Sequence, residues 1–329
     1  MLALTASSGA GAGYWAAFAA FVLMALAIDL GLFHRTSREV TFREAVGWTA
    51  VWASVAMLFA FVLGPRFVPS WTAAWTTSFV TGYLVELSLS MDNVFVIALI
   101  FSYFKVPKAW QHRVLFWGIL GALAMRGMMI WAGSELVQRF HFILYLMGAF
   151  LVFTGAKMAV AGADDDGAAL GDQRVVRLAR RFLPFTNAFD GERFVTRIDG
   201  ARRFTPLFLV LIVVETTDVV FALDSIPAIF GITSEPFLIF TSNVFAILGL
   251  RSLYFVLASA MGYFRYLKYG LSLVLILIGA KMLAETWLKR WLGDHLTNVS
   301  LAAVIGIIFL SMAASMAVAW RESRDAKQP

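Results

Sequence analysis

Nine apolar runs, each near the length needed to cross a bilayer, follow one another almost from end to end of the chain. They fall at residues 14–33, 43–64, 75–103, 114–133, 142–161, 205–230, 236–260, 267–287 and 299–320. A helix needs about 20 apolar residues to span the hydrocarbon core, and inside lipid only a helix or a closed barrel satisfies its own backbone polar groups. The runs therefore predict an all-α, polytopic membrane protein of nine helices, with residues 1–329 forming a single transmembrane domain. Composition agrees: 60% hydrophobic residues against 15% charged, more than a soluble domain needs for its core. Two soluble domains would fit the length but not this pattern.

Charge sets the expected orientation. With the N-terminus outside, nineteen Lys and Arg residues fall in inside segments and only four, Arg66, Arg139, Lys289 and Arg290, in outside ones. That bias satisfies the positive-inside rule with the C-terminus in the cytoplasm; the expected location is the inner membrane of a bacterium. It also explains a net charge of +6 without invoking nucleic acid as a partner. Residues 1–13 carry no basic n-region and run straight into the first span, which is expected to be retained. The absence of cysteine excludes disulfides, iron–sulfur clusters, thiolate metal sites and a cysteine nucleophile.

The longest connection, 162–203, is then a cytoplasmic loop. It begins with a solvated acidic stretch, Asp164-Asp165-Asp166. Arg174, Arg177, Arg180 and Arg181 alternate with Val175, Val176, Leu178, Ala179, Phe182 and Leu183 at helical spacing, which predicts a short helix lying on anionic lipid headgroups. Residues 194–204 read as a hairpin turned at Asp199-Gly200.

An internal repeat organises the rest. Asp92-Asn93-Val94-Phe95 matches Asp218-Val219-Val220-Phe221 at an offset of 126, Leu123-Ala124-Met125-Arg126 resembles Leu248-Gly249-Leu250-Arg251 at 125, and Gly155-Ala156-Lys157-Met158 recurs as Gly279-Ala280-Lys281-Met282 at 124. Each copy, about 79–160 and 205–286, holds three spans. An odd number makes the second copy enter the membrane from the opposite side, so the expected architecture is an inverted repeat around a midplane site.

The first helix of each copy carries acids. Glu86 and Asp92 precede Asn93 in one; Glu215, Asp218, Asp224 and Ser225 lie in the other. Five acids at about 2.5–3.5 kcal/mol each amount to more than ten kcal/mol in lipid, so they must face one another, water, a cation or a proton. Glu86 and Asn93 are seven residues apart, as are Asp218 and Ser225, so each pair shares a helix face. Asp224 falls nearly opposite Glu215 on an ideal helix; Pro227 cannot donate to the Leu223 carbonyl, and the expected break would turn Asp224 into the same cavity. The competing reading pairs the acids with Arg126, Arg251, Lys157 or Lys281, and the two arginines suit holding or gating carboxylates better than binding a cation. Asp29, near the inner end of the first span, reads equally as a cap or as a vestibule residue.

Oxygen ligands without cysteine favour hard or borderline divalent ions such as Mn²⁺, Mg²⁺ or Ca²⁺. The four histidines, His34, His112, His141 and His295, fall in loops or at span ends, which argues against histidine-bound zinc. Met91 beside Asp92 offers either core packing or a thioether that would favour Mn²⁺.

On these residues the chain resembles the TerC/Alx family of membrane proteins, within the wider LysE-like transporter superfamily. The resemblance runs from Ala27-Ile28-Asp29-Leu30 through the ninth span. Its most specific parts are Thr81-Gly82-Tyr83-Leu84-Val85-Glu86, Met91-Asp92-Asn93-Val94-Phe95, Asp224-Ser225-Ile226-Pro227-Ala228-Ile229-Phe230 and 241–251, Thr241 to Arg251. It implies Mn²⁺ export, with metal-site roles for Glu86, Asp92, Asn93, Glu215, Asp218 and Asp224 and with Asn243 as a polar neighbour. The metal is then cargo, and no tightly bound cofactor is expected.

The expected activity is secondary transport of a divalent cation outward, in exchange for protons carried by the same acids. Rival readings are transport of another divalent ion or an amino acid, a membrane-protein assembly factor working through the basic loop, and an intramembrane aspartyl protease. The last lacks a Gly-Xaa-Gly-Asp element and has more acids than a dyad needs, so the chain is not expected to be an enzyme.

Overall fold

The structure is a computed structural model that describes residues 11–33, 41–160, 173–198, 200–258 and 267–325. Its helices are α1 (Ala12–Phe33), α2 (Phe42–Leu58), α3 (Ala73–Tyr103), α4 (Lys108–Arg139), α5 (Phe142–Val160), α6 (Gln173–Phe182), α7 (Pro206–Phe230), α8 (Pro236–Ala258), α9 (Leu267–Leu283), α10 (Glu285–Leu292) and α11 (Leu296–Asp325). Local chemistry sets several starts. Thr41 and Thr72 accept from the Glu44 and Trp75 amides to cap α2 and α3, and Pro206 opens α7, where its missing N–H costs nothing. α2 continues through a π turn at Phe59–Leu63 into Gly64–Phe67, where Pro65 lacks the donor an α-helical ladder would need.

Seven described stretches are long and apolar enough to cross a membrane: Phe42–Phe67, α3, α4, α5, α7, Pro236–Leu257 of α8 and Asn298–Ser315 of α11. An eighth arises if Tyr269–Leu283 and Glu285–Leu292, bent by 78°, count as one span. The difference from the nine expected spans lies at α1, whose described apolar stretch Ala12–Ile28 is shorter, and at this bend. The chain is thus an all-α polytopic membrane protein. Its outward faces carry large apolar side chains, among them Leu23, Phe61, Phe153, Phe309 and Leu310, a surface that lipid rather than water would cover.

α3 and α8 form the buried centre and pack on each other; α4 lies against α7 and α8, and α7 also meets α3. Hydroxyls inside this apolar bundle satisfy themselves on their own helices: Thr81 donates to the Thr77 carbonyl, Ser88 to Leu84, Thr217 to Val213 and Thr241 to Phe237. The polar groups that remain are therefore concentrated in one place.

α5 and α9 cross at glycines. A Cβ on Gly155 would lie 2.8 Å from the Ser272 carbonyl oxygen, and one on Gly279 would lie 2.6 Å from the Gly148 carbonyl oxygen. The repeat offset of 124 exchanges Gly155 with Gly279 and Gly148 with Ser272, so the two contacts are reciprocal and the helices run antiparallel. Reciprocity of this kind is what a two-fold relation between the repeats requires. Gly279→Val would force these backbones apart, and a loss of about 1–3 kcal/mol from overpacking is expected to lower the thermal midpoint of the purified protein. An unchanged melting curve would show that the crossing tolerates a side chain.

The connection also folds. α6 lies where the basic amphipathic helix is expected. The hairpin pairs β1 (Val195–Ile198) with β2 (Ala201–Phe204) antiparallel, Val195 opposite Phe204 and Ile198 opposite Ala201. Gly200, at the turn, adopts φ +78°, a left-handed conformation open to glycine because it has no Cβ. Phe204 accepts from the Thr186 amide, and Arg113 of α4 lies 3.6 Å from Glu192 and over the Phe194 ring, so the hairpin is fastened to α4. The acidic triplet 164–166 lies outside the described residues.

One expectation is overturned here. α7 runs unbroken from Pro206 to Phe230 with Pro227 inside it. Proline removes one backbone bond, but only the last turn follows it, and that turn is fully buried among α4, α8 and α5 neighbours. Asp224 consequently stays on its own face of α7.

Candidate functional site

Four helices deliver polar side chains to one point in the bundle, and the point is a guanidinium. Arg126 of α4 is 3% exposed and forms ion pairs with Glu86 of α3, itself 2% exposed, and with Asp218 of α7 at 12%. Asp218 receives the fork, Nη2 to Oδ1 at 3.2 Å and Nε to Oδ2 at 3.5 Å. Nη1 of Arg126 also donates to Ser225 Oγ at 3.4 Å and to Asn243 Oδ1 of α8 at 3.3 Å. Asn93 Nδ2 donates to Asp218 Oδ1 at 3.3 Å, and Ser90 Oγ to Glu86 Oε1 at 3.3 Å. Asn243 is itself fixed by its Nδ2 bond to the Ile239 carbonyl, 2.9 Å away.

The helical spacing accounts for the arrangement. Glu86, Ser90 and Asn93 lie along one face of α3, and Asp218 and Ser225 along one face of α7. Arg126 stands between these faces, where one long side chain reaches both. Two carboxylates share one guanidinium, so with both ionised the described cluster would carry a net negative charge. In a low-dielectric interior such a charge draws a further cation or a proton strongly.

Glu215 sits one turn before Asp218 on α7 and feels its charge. Its carboxylate rests over Gly121 of α4, so close that a Cβ there would overlap it. Beside these acids lies a cavity of about 20 Å³ bounded by Glu215, Asp218 and Arg251 and by the apolar Ile119, Val214 and Leu250, room for about one water molecule or bare ion.

The structure thus gathers Glu86, Asn93, Asp218, Ser225, Asn243 and Arg126, with Glu215 and Arg251 at its edge. Asp224 stands apart, half-buried and under the influence of Lys157. Met91 is buried in an apolar cluster with Val94, Ile97 and Val213, so its thioether packs. Asp29 and Asp92 lie in α1 and α3, but their side chains fall outside the described residues. Among the described residues no three carboxylates or histidines converge as a metal site; the cluster's carboxylates hold arginine instead. Sequence reasoning passed over Ser90 and Gly121. The spacing of four from Glu86 could have found Ser90, whereas nothing local marks Gly121, whose role depends on which helix lies opposite.

The profile of the family described as integral membrane protein TerC matches residues 71–324. An uncharacterized membrane protein, STKORF319, of Myxococcus xanthus is 47% identical over 304 residues, covering 92% of each chain. Alx of Escherichia coli strain K12, whose name proposes a membrane-bound redox modulator, is 45% identical over 319 residues, covering 95% of this chain and 96% of its own. No solved structure matches. The profile takes in α3 through most of α11 and every helix of the cluster, and the chain belongs to the TerC family of integral membrane proteins.

Proposed function

We propose that this protein is a secondary transporter, not an enzyme, that exports a divalent metal cation, Mn²⁺, in exchange for protons. It would reside in the inner membrane with its N-terminus outside and its C-terminus in the cytoplasm. The observation that carries the reading is the convergence of Glu86, Asp218, Ser225 and Asn243 from three helices of the two repeats onto one cation, with Asn93 donating to Asp218 beside it. Every donor these residues could offer a metal through their carboxylate, amide or hydroxyl groups is oxygen, which suits a hard or borderline divalent ion.

Energetics argue for coupling. An inside-negative potential opposes export of a divalent ion by about 5 kcal/mol per 100 mV, so a passive pore would run inward. Metal binding displaces protons from its ligands, and buried carboxylates supply groups that exchange one for the other. The redox role in the name of Alx offers a second reading. With no cysteine in this chain, such a role would run through the metal it moves and not through a thiol.

Reconstituted into proteoliposomes loaded with Mn²⁺, the protein is expected to release the metal, and faster against an acid exterior than at equal pH. Release indifferent to the pH gradient would remove proton coupling. Absence of protein-dependent Mn²⁺ release would remove export.

A further inference from the structure

We infer that Arg126 is a tethered cation that fills the transport site when no metal is bound, and that metal and guanidinium occupy the site in alternation. The inference rests on the export reading above. Its ground is that the arginine contacts Glu86, Asp218, Ser225 and Asn243 at once, the oxygens of the group proposed to receive the metal.

The two occupants exclude each other. A hard divalent ion holds its oxygen ligands at about 2.0–2.6 Å, so carboxylates gripping one leave no space between them for a guanidinium. Arg126 lies between Glu86 and Asp218 and must withdraw before they close on a metal. A partner for the withdrawing charge is at hand. Among the described residues no hydrogen bond or ion pair engages the Glu215 carboxylate, which lies over Gly121 on the same helix as Arg126 and next to Asp218.

Exclusion of this kind gives the empty carrier a counter-charge of its own, which offsets one of its two carboxylates. The unloaded site can then reorient across the membrane without stranding its carboxylates in an apolar interior. It also weakens metal binding, because the apparent Kd rises by the inverse of the fraction of sites from which the arginine is absent. Two opposite effects of removing Arg126 follow: tighter binding, and slower return of the empty carrier.

The test uses Arg126→Gln and Arg126→Lys in the full-length protein, with Mn²⁺ binding measured by equilibrium dialysis in detergent. Net Mn²⁺ efflux and Mn²⁺/Mn²⁺ exchange are then measured in proteoliposomes. For Arg126→Gln the Kd is expected to fall about tenfold, as it would if the arginine holds nine sites in ten. Net efflux should fall by about the same factor while exchange, which never requires an empty carrier to return, persists. Lysine keeps the charge but not the fork, so its Kd should move the same way by less. If Arg126→Gln does not yield monodisperse protein, the lysine variant decides. Weaker Mn²⁺ binding in either folded variant, or loss of exchange together with net efflux, overturns the inference while leaving export intact. A wild-type protein that binds no Mn²⁺ defeats the export reading first, and this inference with it.

Discussion

Glu86→Gln combined with Asp218→Asn is expected to yield a protein that no longer folds stably in detergent. Both substitutions are nearly isosteric, so packing changes little. What they remove is the counter-charge of Arg126, which is 3% exposed and is held by these two carboxylates. Removing the partner of a buried charge costs about 3–5 kcal/mol, a large part of the stability of most domains. Each single variant leaves one carboxylate on the guanidinium and should be milder. The double should therefore lose more than the two singles together, because both act through the same arginine. The deciding variant adds Arg126→Gln. With all three charges gone, the orphaned cation is gone too, and the thermal midpoint should recover toward wild type while Mn²⁺ transport stays absent. A double variant as stable as wild type would mean that the ion pairs contribute nothing to the fold. A triple variant that still transports would mean that the cluster is not the site.

The legibility of this molecule in its sequence follows from which properties are local. Apolar length is local, and with it the crossing helices could be read directly; the amphipathic run of α6 and the Asp199-Gly200 turn are local as well. Spacing along one helix is nearly so, which is why Glu86 with Asn93 and Asp218 with Ser225 could be placed on shared faces. The partner across the bundle is not local. The repeat named Arg126 as a residue that could hold carboxylates, but only the packing of α4 against α7 and α8, which α3 also contacts, decides that one guanidinium reaches two acids, a serine and an asparagine together. The error at Pro227 has the same origin. Proline weakens a helix by an amount the sequence gives, yet whether the helix breaks depends on how tightly its last turn is enclosed, and residues Ser225–Phe230 are all buried. Asp224 therefore stays away from the cluster to which a break would have brought it.

Gly121→Ala separates function from stability most sharply. Glycine inside α4 costs the helix about 1 kcal/mol relative to alanine, so on local grounds the substitution should stabilise. The new methyl would, however, occupy the place of the Glu215 carboxylate. That carboxylate ends a flexible side chain and can swing aside, whereas the α4 and α7 backbones are fixed by their packing, so the side chain is what yields. The thermal midpoint should then stay level or rise. Transport should nevertheless fall, by on the order of tenfold to a hundredfold, the penalty for displacing a working group by about 1 Å. Proteoliposome flux and a melting curve on the same preparation check both halves. A second substitution, Glu215→Asp, draws the carboxylate back by one methylene, away from the added methyl, and should recover part of the lost flux in the Gly121→Ala background while impairing the wild type. Wild-type flux in Gly121→Ala would show that transport does not depend on where Glu215 sits. A large fall in the midpoint would show instead that the backbones moved and that the glycine serves packing alone.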